Sequence, residues 1–429
     1  MSVLTLVAVV VCLVPTLDAR DDDVRHLVNI NLDFGLKLYK QLARYDMQNI
    51  CFSPYSVLSS LALVHAGSKG KTRAQIENSL GFHGSFGDRV DGAVGAINDV
   101  ISEGSMSPVL AVYSQSGFTY NRTFVNTAQA HYGTTPQMVD FSKTQTALGL
   151  MNMFFADRTN GTVSHLVNGG ELRSTWRQSS VQMLVLSALS ARATWAVPAA
   201  KTHEVRRSFY LDIDLPVKVD YVTAPDKFRY GRADNVTYIE VPLLGGKQSM
   251  FIAMPDDIRG LTALNARINA KMLQSVNATM TSHTIDVHLP RFRVAQNLGL
   301  REVITELGVT RMFTRGSAEL DGVSDNREIY VNQVMHESVL AMNPREGYMP
   351  PKDDVIGYDT HLDIQTVKVD RPFFYIISDT ETGLALFLGR ISHPTTEIQI
   401  KFGASKSSAS SLVRFSSSLV FLLLMLRLG

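Results

Sequence analysis

Cysteine is nearly absent from this chain, which has only Cys12 and Cys51 among its 429 residues. Cys12 lies in an apolar N-terminal run that ends at Ala19, where a small residue suits a signal peptidase. With residues 1–19 as a signal peptide, the mature chain begins at Arg20 and keeps one cysteine. The sequence therefore predicts a fold without an intrachain disulfide, and Cys51, in an apolar stretch, is expected to be a buried, inert thiol.

An excess of charge of one sign is also lacking. The chain has 41 basic and 40 acidic residues, and they are interleaved without a long block of either kind. Binding to a nucleic acid needs a basic stripe that releases counterions from the phosphates. The densest basic positions, Arg206–Arg207 and Lys69 with Lys71, are short and read as solvated surface. We expect no nucleic-acid partner.

The motifs of common enzymes and metal sites are missing from the sequence. There is no Gly-x-Ser-x-Gly turn, no His-Glu-x-x-His pair and no Cys-x-x-Cys pair, and the 11 histidines do not cluster at ligand spacings. We therefore expect neither an enzyme nor a bound metal or other cofactor.

Four Asn-x-Thr triplets are present, and each is an acceptor motif for N-glycosylation. They begin at Asn121, Asn160, Asn235 and Asn277. One such triplet often arises by chance, but four behind a signal peptide predict a secreted or extracellular glycoprotein.

The C-terminal segment, residues 397–429, differs in composition from the rest. Small residues and a spacer precede a short apolar run at 419–426, which is the order typical of a signal for a GPI anchor. A run of this length is too short to span a bilayer, which needs about 20 residues. The alternatives are attachment to the outer cell surface through a lipid, and an unprocessed tail that is either floppy or associated with a membrane.

Between these ends, residues 20–396 contain no repeat or low-complexity linker and are interpreted as one domain. Helices and strands alternate irregularly, which argues against a parallel βαβ arrangement. Ser53 and Pro54 are typical of a helix start and Gly67 of its end. Strands are predicted at 238–242, 249–255, 285–290 and 373–377, and a late helix at 297–307.

Five ordered motifs resemble a known family, the serpins. The first is 49–63 with 67–76, which is similar to the family's first strand and buried helix. The second is 287–293 with 307–313, similar to the segment before its bait loop, and the third is 331–336, similar to the strand that feeds the loop. The fourth and fifth, 371–375 and 385–394, are similar to its closing strands. The resemblance covers His26 to Pro394. It implies an α+β serpin fold with three β-sheets, about eight or nine helices and an exposed reactive-centre loop.

The resemblance also implies a polar group beneath the central sheet that influences how readily the sheet opens. Its members here are Ser53, Ser56, Ser187 and His336. Serpins usually have asparagine at the position of Ser187. Because a serine is shorter and has one donor where an amide has two, the group is expected to be weaker in this chain.

In serpins a serine protease attacks the loop, the loop inserts into the central sheet as an extra strand, and the attached protease is distorted. Gly347 matches the hinge glycine of the family, and the 25-residue step from it to Pro372 is usual for inhibitors. The same register puts the scissile bond near Thr360, His361 and Leu362, between the last two.

The hinge composition departs from the family, whose inhibitors have small residues there. Along a strand, Tyr348, Pro350, Lys352 and Asp354 would point inward. Pro350 and Pro351 have no N–H, so each leaves a ladder carbonyl unpaired, at about 1–3 kcal/mol. Burying the charges of Lys352 and Asp354 costs several kcal/mol more unless they pair.

Three hypotheses follow. The chain presents a bait loop to a serine protease with weak or absent inhibition; or it is a working serine protease inhibitor; or it is a carrier that binds a ligand in a cleft. We expect a monomer in each case.

Overall fold

A computed structural model of the chain describes residues 19–45, 48–102, 106–169, 182–197, 202–343 and 364–394. Several predicted features lie outside the described residues: most of the signal peptide, the tail at 397–429, the hinge residues Gly347, Tyr348, Pro350, Pro351, Lys352 and Asp354, and the scissile region at Thr360, His361 and Leu362.

Nine α-helices occur in the described ranges. They are α1 (Ala19–Tyr45), α2 (Pro54–Ala66), α3 (Gly70–Leu80), α4 (Val90–Ser102), α5 (Arg122–Tyr132), α6 (Thr144–Arg158), α7 (Leu261–Arg267), α8 (Ala270–Thr279) and α9 (Arg301–Glu306). Two short 3-10 helices, Gly84–Asp88 and Arg311–Phe313, accompany them. The number agrees with the eight or nine helices that the sequence predicts.

Fourteen strands occur in the same part of the chain. The first seven are β1 (Ile50–Phe52), β2 (Val109–Gln115), β3 (Gln137–Val139), β4 (Met183–Ala193), β5 (His203–Asp212), β6 (Leu215–Ala233) and β7 (Val236–Pro242). The others are β8 (Gln248–Pro255), β9 (Thr281–Pro290), β10 (Phe292–Gly299), β11 (Val331–Met342), β12 (Thr366–Lys368), β13 (Phe373–Asp379) and β14 (Ala385–Ile391). The four strands predicted from sequence correspond to β7, β8, β9 and β13.

The strands form two hydrogen-bonded sheets among the described residues, where the sequence predicts three. A five-stranded sheet has the order β10-β11-β4-β2-β3, and a nine-stranded sheet has the order β1-β14-β13-β8-β7-β6-β9-β12, with β5 paired to β6. The sheets number two because β6 is 19 residues long. Its first half pairs with β5 and its second half with β7. This one long strand therefore joins two groups of strands into a single hydrogen-bonded sheet.

Helix α2 lies at the centre of the fold. Ser53 accepts the N–H of Ser56 at 3.1 Å and Pro54 occupies the first turn, so the helix begins where the sequence predicts. A helix that is apolar all round is typical of burial, and nearly every residue of α2 is buried. It contacts β4, β11 and β14, and therefore fills the space between the two sheets.

The predicted helix at 297–307 is wrong at its start. Residues 297–299 belong to β10 and pair with Glu337, His336 and Met335 of β11, and only Arg301–Glu306 is helical. The ladder to β11 provides backbone hydrogen bonds and burial that outweigh the local helical spacing.

Candidate functional site

The polar group predicted from the sequence lies at the middle of the seam between β4 and β11, which pair in parallel. His336 of β11 stands beside Ser187 of β4 in the register, and both are fully buried. The Ser53 N–H donates to His336 Nε2 at 2.9 Å, and Ser187 Oγ lies 3.1 Å from His336 Nδ1. Since Nε2 is an acceptor, the ring proton is on Nδ1, and it is donated to Ser187.

Burial determines the charge of this histidine. Desolvation lowers the pKa of His336 from 6.5 to about 3, and a hydrogen bond from the imidazole to the Ser187 backbone opposes the shift only in part. The imidazole is therefore neutral at neutral pH, as the one-donor, one-acceptor pattern of its neighbours requires.

Ser53, which caps α2, and Ser56 in its first turn have only indirect side-chain links to His336. The Ser53 hydroxyl accepts the Ser56 N–H and so caps the helix, and only the backbone N–H of Ser53 reaches His336. Ser56 Oγ is buried and has no hydrogen-bond partner among the described residues. The structure thus brings Ser53, Ser187 and His336 into direct contact. Ser56 is linked to them only through its N–H, which donates to Ser53 Oγ.

Two further contacts near this group involve residues that sequence reasoning missed. Ser338 Oγ donates to the Cys51 carbonyl at 2.7 Å, and the Cys51 N–H donates to Gln296 Oε1 at 2.7 Å. The signal in the sequence is the two-residue spacing of His336 and Ser338, which places both on the same face of the strand. Cys51 is buried, and desolvation raises the pKa of its thiol to about 11, so the thiol is protonated and unreactive.

One asparagine lies at the start of β11 and another just after its end, and both side chains reach across to residues at the ends of β4. Asn332 Oδ1 accepts the N–H groups of Gln182 and Met183 at 2.5 and 3.2 Å. Asn343 Oδ1 accepts the Trp195 N–H at 3.1 Å. The Asn343 N–H donates to the Ala193 carbonyl at 2.6 Å. The seam therefore has a polar contact at its start, its middle and its end.

Comparison with known proteins assigns the family. A family model described as "Serpin (serine protease inhibitor)" matches residues 29–394. The chain belongs to the serpin family. Human neuroserpin is 24% identical over 378 residues, which cover 85% of this chain and 91% of that protein. Plasminogen activator inhibitor 1 of Neovison vison is 26% identical over 392 residues, or 84% of this chain and 92% of that one.

A solved structure gives the same fold. The crystal structure of human thyroxine-binding globulin complexed with thyroxine matches with a TM-score of 0.78 at 20% identity, over 87% of this chain and 100% of that one. Serpins in general are protease inhibitors or binding proteins and not enzymes.

The two anchors of the serpin loop are described, although the loop itself is not. β11 ends at Met342, and Asn343 follows it with a φ of 50°, in the left-handed region. After the loop, Gln365 accepts the Asp286 N–H, and β12 pairs in parallel with β9.

The four glycosylation motifs of this serpin differ in exposure. Asn160, Asn235 and Asn277 are exposed, the first two in turns with φ of 49° and 58°. Asn121 is half-buried, and its Nδ2 donates to the Asp321 carbonyl at 2.8 Å. The nitrogen that would carry a glycan is therefore engaged only at Asn121, among the contacts that the structure describes.

A cleft of about 350 Å³ opens between α1, α8 and the nine-stranded sheet. Leu32, Phe251 and Leu273 form its apolar part. Arg229 and Glu240 line the polar part and pair with each other at 2.5 Å. The described residues contain no cluster of three or more potential metal ligands, and none of their helices is long and apolar enough to cross a membrane.

Proposed function

We propose that this serpin is an extracellular, glycosylated protein that presents its loop to a serine protease as bait, with weak or absent inhibition. The observation that carries the proposal is the hinge, where Pro350, Pro351, Lys352 and Asp354 replace the small residues usual in inhibitors. A central strand needs an N–H at each ladder position and apolar or small inward side chains. This segment lacks the N–H at two positions and has charged side chains at two of its inward ones.

The closed seam supports the same proposal. All of β4 pairs with β11 without a strand between them, so an inserting segment has to break that ladder before it can form its own. A segment that forms few ladder hydrogen bonds as a strand recovers little of the free energy needed to separate β4 from β11. We infer that cleavage of the loop by a protease finishes before insertion, and that the protease is released.

The test is incubation of the full-length, secreted protein with a panel of serine proteases, followed by denaturing electrophoresis and N-terminal sequencing of the released fragment. We expect a cut between His361 and Leu362 and no covalent complex that survives denaturation. A covalent complex with any protease of the panel would overturn the proposal in favour of a working inhibitor.

The cleft between α1, α8 and the nine-stranded sheet favours a second candidate, a carrier of a small ligand. It has an apolar side and hydrogen-bonding groups, which is the usual composition of a ligand site. However, the guanidinium of Arg229 already binds Glu240 and Asn277. Mass spectrometry of the purified protein under native conditions tests this candidate, because a carrier would retain a stoichiometric small molecule.

A further inference from the structure

The face of β4 that packs against α6 changes from apolar to polar where the helix ends. Under the helix this face consists of Leu184, Leu186 and Ala188, which belong to the cluster that α6 covers. At the same two-residue spacing the strand continues with Ser190, which is half-buried, and Arg192, which is exposed. Polar side chains therefore begin at the point where α6 no longer covers the strand.

A cavity of about 550 Å³ opens at this point. Polar side chains from three parts of the fold line it: Ser107 just before β2, Arg158, Thr159 and Thr162 at the end of α6, and Ser190 and Arg192 of β4. No acidic residue is present in the part of the lining that the structure describes. Because arginine is charged at every physiological pH, the cavity has a net positive charge and many hydrogen-bond donors.

The wall that α6 contributes is held by hydrogen bonds. Thr159 is buried, and its Oγ1 donates to the Phe155 carbonyl at 2.6 Å and accepts the Val163 N–H at 3.0 Å. The Gly161 N–H donates to the Ala156 carbonyl at 2.7 Å. These bonds close the last turn of the helix and fix the chain that leaves it. A ligand that enters the cavity therefore meets a wall that is already formed, which lowers the entropy cost of binding.

Arg158 contributes a positive charge to this wall. Its guanidinium carbon lies 5.2 Å from the centroid of the Phe154 ring, and it pairs with no carboxylate among the described residues. A cation is favourable at the C-terminus of a helix because of the helix dipole. The dipole does not explain why Arg192, from a different element, lines the same cavity. Two guanidiniums around one cavity repel each other, and an anion between them replaces repulsion with attraction.

We propose that the cavity between the end of α6 and β4 binds a small organic anion that carries more than one carboxylate, phosphate or sulfate group. Each guanidinium can hold one such group through two parallel hydrogen bonds, and the hydroxyls of Thr162 and Ser190 are further donors. The volume lies within the range of roughly 300–1,000 Å³ that is usual for small-molecule sites, and the polar lining favours a charged ligand over an apolar one. This site is independent of the loop and of the proposed function.

Calorimetric titration of the full glycosylated protein with citrate tests the site, with inorganic sulfate and inorganic phosphate as separate probes. We expect citrate to bind more tightly than either inorganic ion, because its carboxylates can reach both guanidiniums. Arg158→Gln and Arg192→Gln should each weaken citrate binding about ten- to a hundredfold, the effect of one hydrogen bond to a charged group. Arg206→Gln is the matched control, because Arg206 is an exposed arginine of β5 outside the lining, and it should bind citrate like the wild type.

Citrate binding that persists unchanged in both lining variants, or that Arg206→Gln weakens equally, would overturn the proposal. The absence of binding at millimolar concentrations of all three probes would do the same. If sulfate or phosphate binds as tightly as citrate, the requirement for more than one anionic group is wrong. Arg158 and Arg192 are exposed, so both variants should fold. Their melting temperatures without probe verify this, and citrate should raise the melting temperature of the wild type by a few degrees and that of the variants by less.

The glycosylation motif at Asn160 requires a separate control, because this residue also lines the cavity. Asn160→Gly keeps the left-handed backbone at this position and removes the motif. We expect the variant to bind citrate as tightly as the natural protein does. Binding that occurs only after the motif is removed would show that a glycan fills the cavity, and would overturn the proposal for the natural protein.

Discussion

The Nε2 atom of His336 accepts the backbone N–H of Ser53, the residue that caps α2, at 2.9 Å. A strand of the five-stranded sheet is thereby joined to the start of the central helix by a group that can titrate. Protonation of Nε2 would replace an acceptor with a donor and break this contact.

Stability should therefore depend on His336 in acid. Its pKa is lowered from 6.5 to about 3 in the folded protein, so the unfolded chain binds the proton more readily. The stabilising effect is fully present above about pH 6.5 and is lost as the pH falls towards about 3, at up to about 1.4 kcal/mol per pH unit. Urea unfolding between pH 7 and pH 4 measures the slope. His336→Gln should flatten it, and equal slopes in the two proteins would contradict this account.

Removing the partner of the His336 ring proton should destabilise the fold. Ser187→Ala removes the hydroxyl that lies 3.1 Å from the buried Nδ1, and the loss of this hydrogen bond costs about 1 kcal/mol of unfolding free energy. Ser190→Ala, three positions further along β4 and half-buried, is the matched control and should cost less than about 0.5 kcal/mol. Chemical denaturation of both variants provides the comparison, and the prediction is wrong if they lose the same stability.

Cleavage of the loop should change heat stability very little. A nick near His361 in the natural protein should raise the melting temperature by only a few degrees, because Pro350, Pro351, Lys352 and Asp354 resist becoming a central strand. Replacement of residues 348–354 by threonine and alanines should give a large rise on nicking. Calorimetry of intact and nicked forms of both proteins measures the effect, and a rise of tens of degrees in the natural sequence would contradict the prediction.

Glycans should occupy at least two of the four motifs on a chain that begins at Arg20. We expect Asn160, Asn235 and Asn277 to carry them in preference to Asn121, whose amide donates to a carbonyl. Mass spectrometry of the secreted protein, before and after removal of N-glycans, shows the sites. An unmodified protein that still begins with Met1 would rule out both parts.

The C-terminal tail should be exchanged for a lipid anchor. In that case the last 20 or so residues are absent from the mature protein, and a phospholipase specific for GPI anchors releases it from cells. Flow cytometry with and without the enzyme measures the release. Recovery of a soluble form that ends at Gly429 would show that the segment is not an attachment signal.

Local signals were sufficient for much of the fold. Helix α2 was predicted to the residue because its cap, its first-turn proline and its terminal glycine are neighbours in the chain. The strands at β7, β8, β9 and β13 followed from short apolar runs. The predicted start of α9 was wrong because residues 297–299 pair with a strand nearly 40 positions away. A local sequence pattern contains no information about such a distant partner.

The site was predictable only in part, for the same reason. Resemblance to the family pointed to Ser187 and His336, but Asn332 and Asn343 were missed because their partners on the β4 side lie 148–150 positions away. The remaining clue was an asparagine near each end of the strand. Such a residue is common at strand ends, and only the register with β4 gives it a partner.

The contact between Ser338 and Cys51 joins residues 287 positions apart, and β1 pairs with β14 over a similar separation. During synthesis from the N-terminus, α2 and β1 therefore emerge long before the strands that cover them. Their apolar surface therefore stays exposed, or bound by chaperones, until nearly the whole chain has been synthesised. We infer that truncation just before β13 yields a chain that cannot complete its interior, and that the last strands act as the closing step of folding.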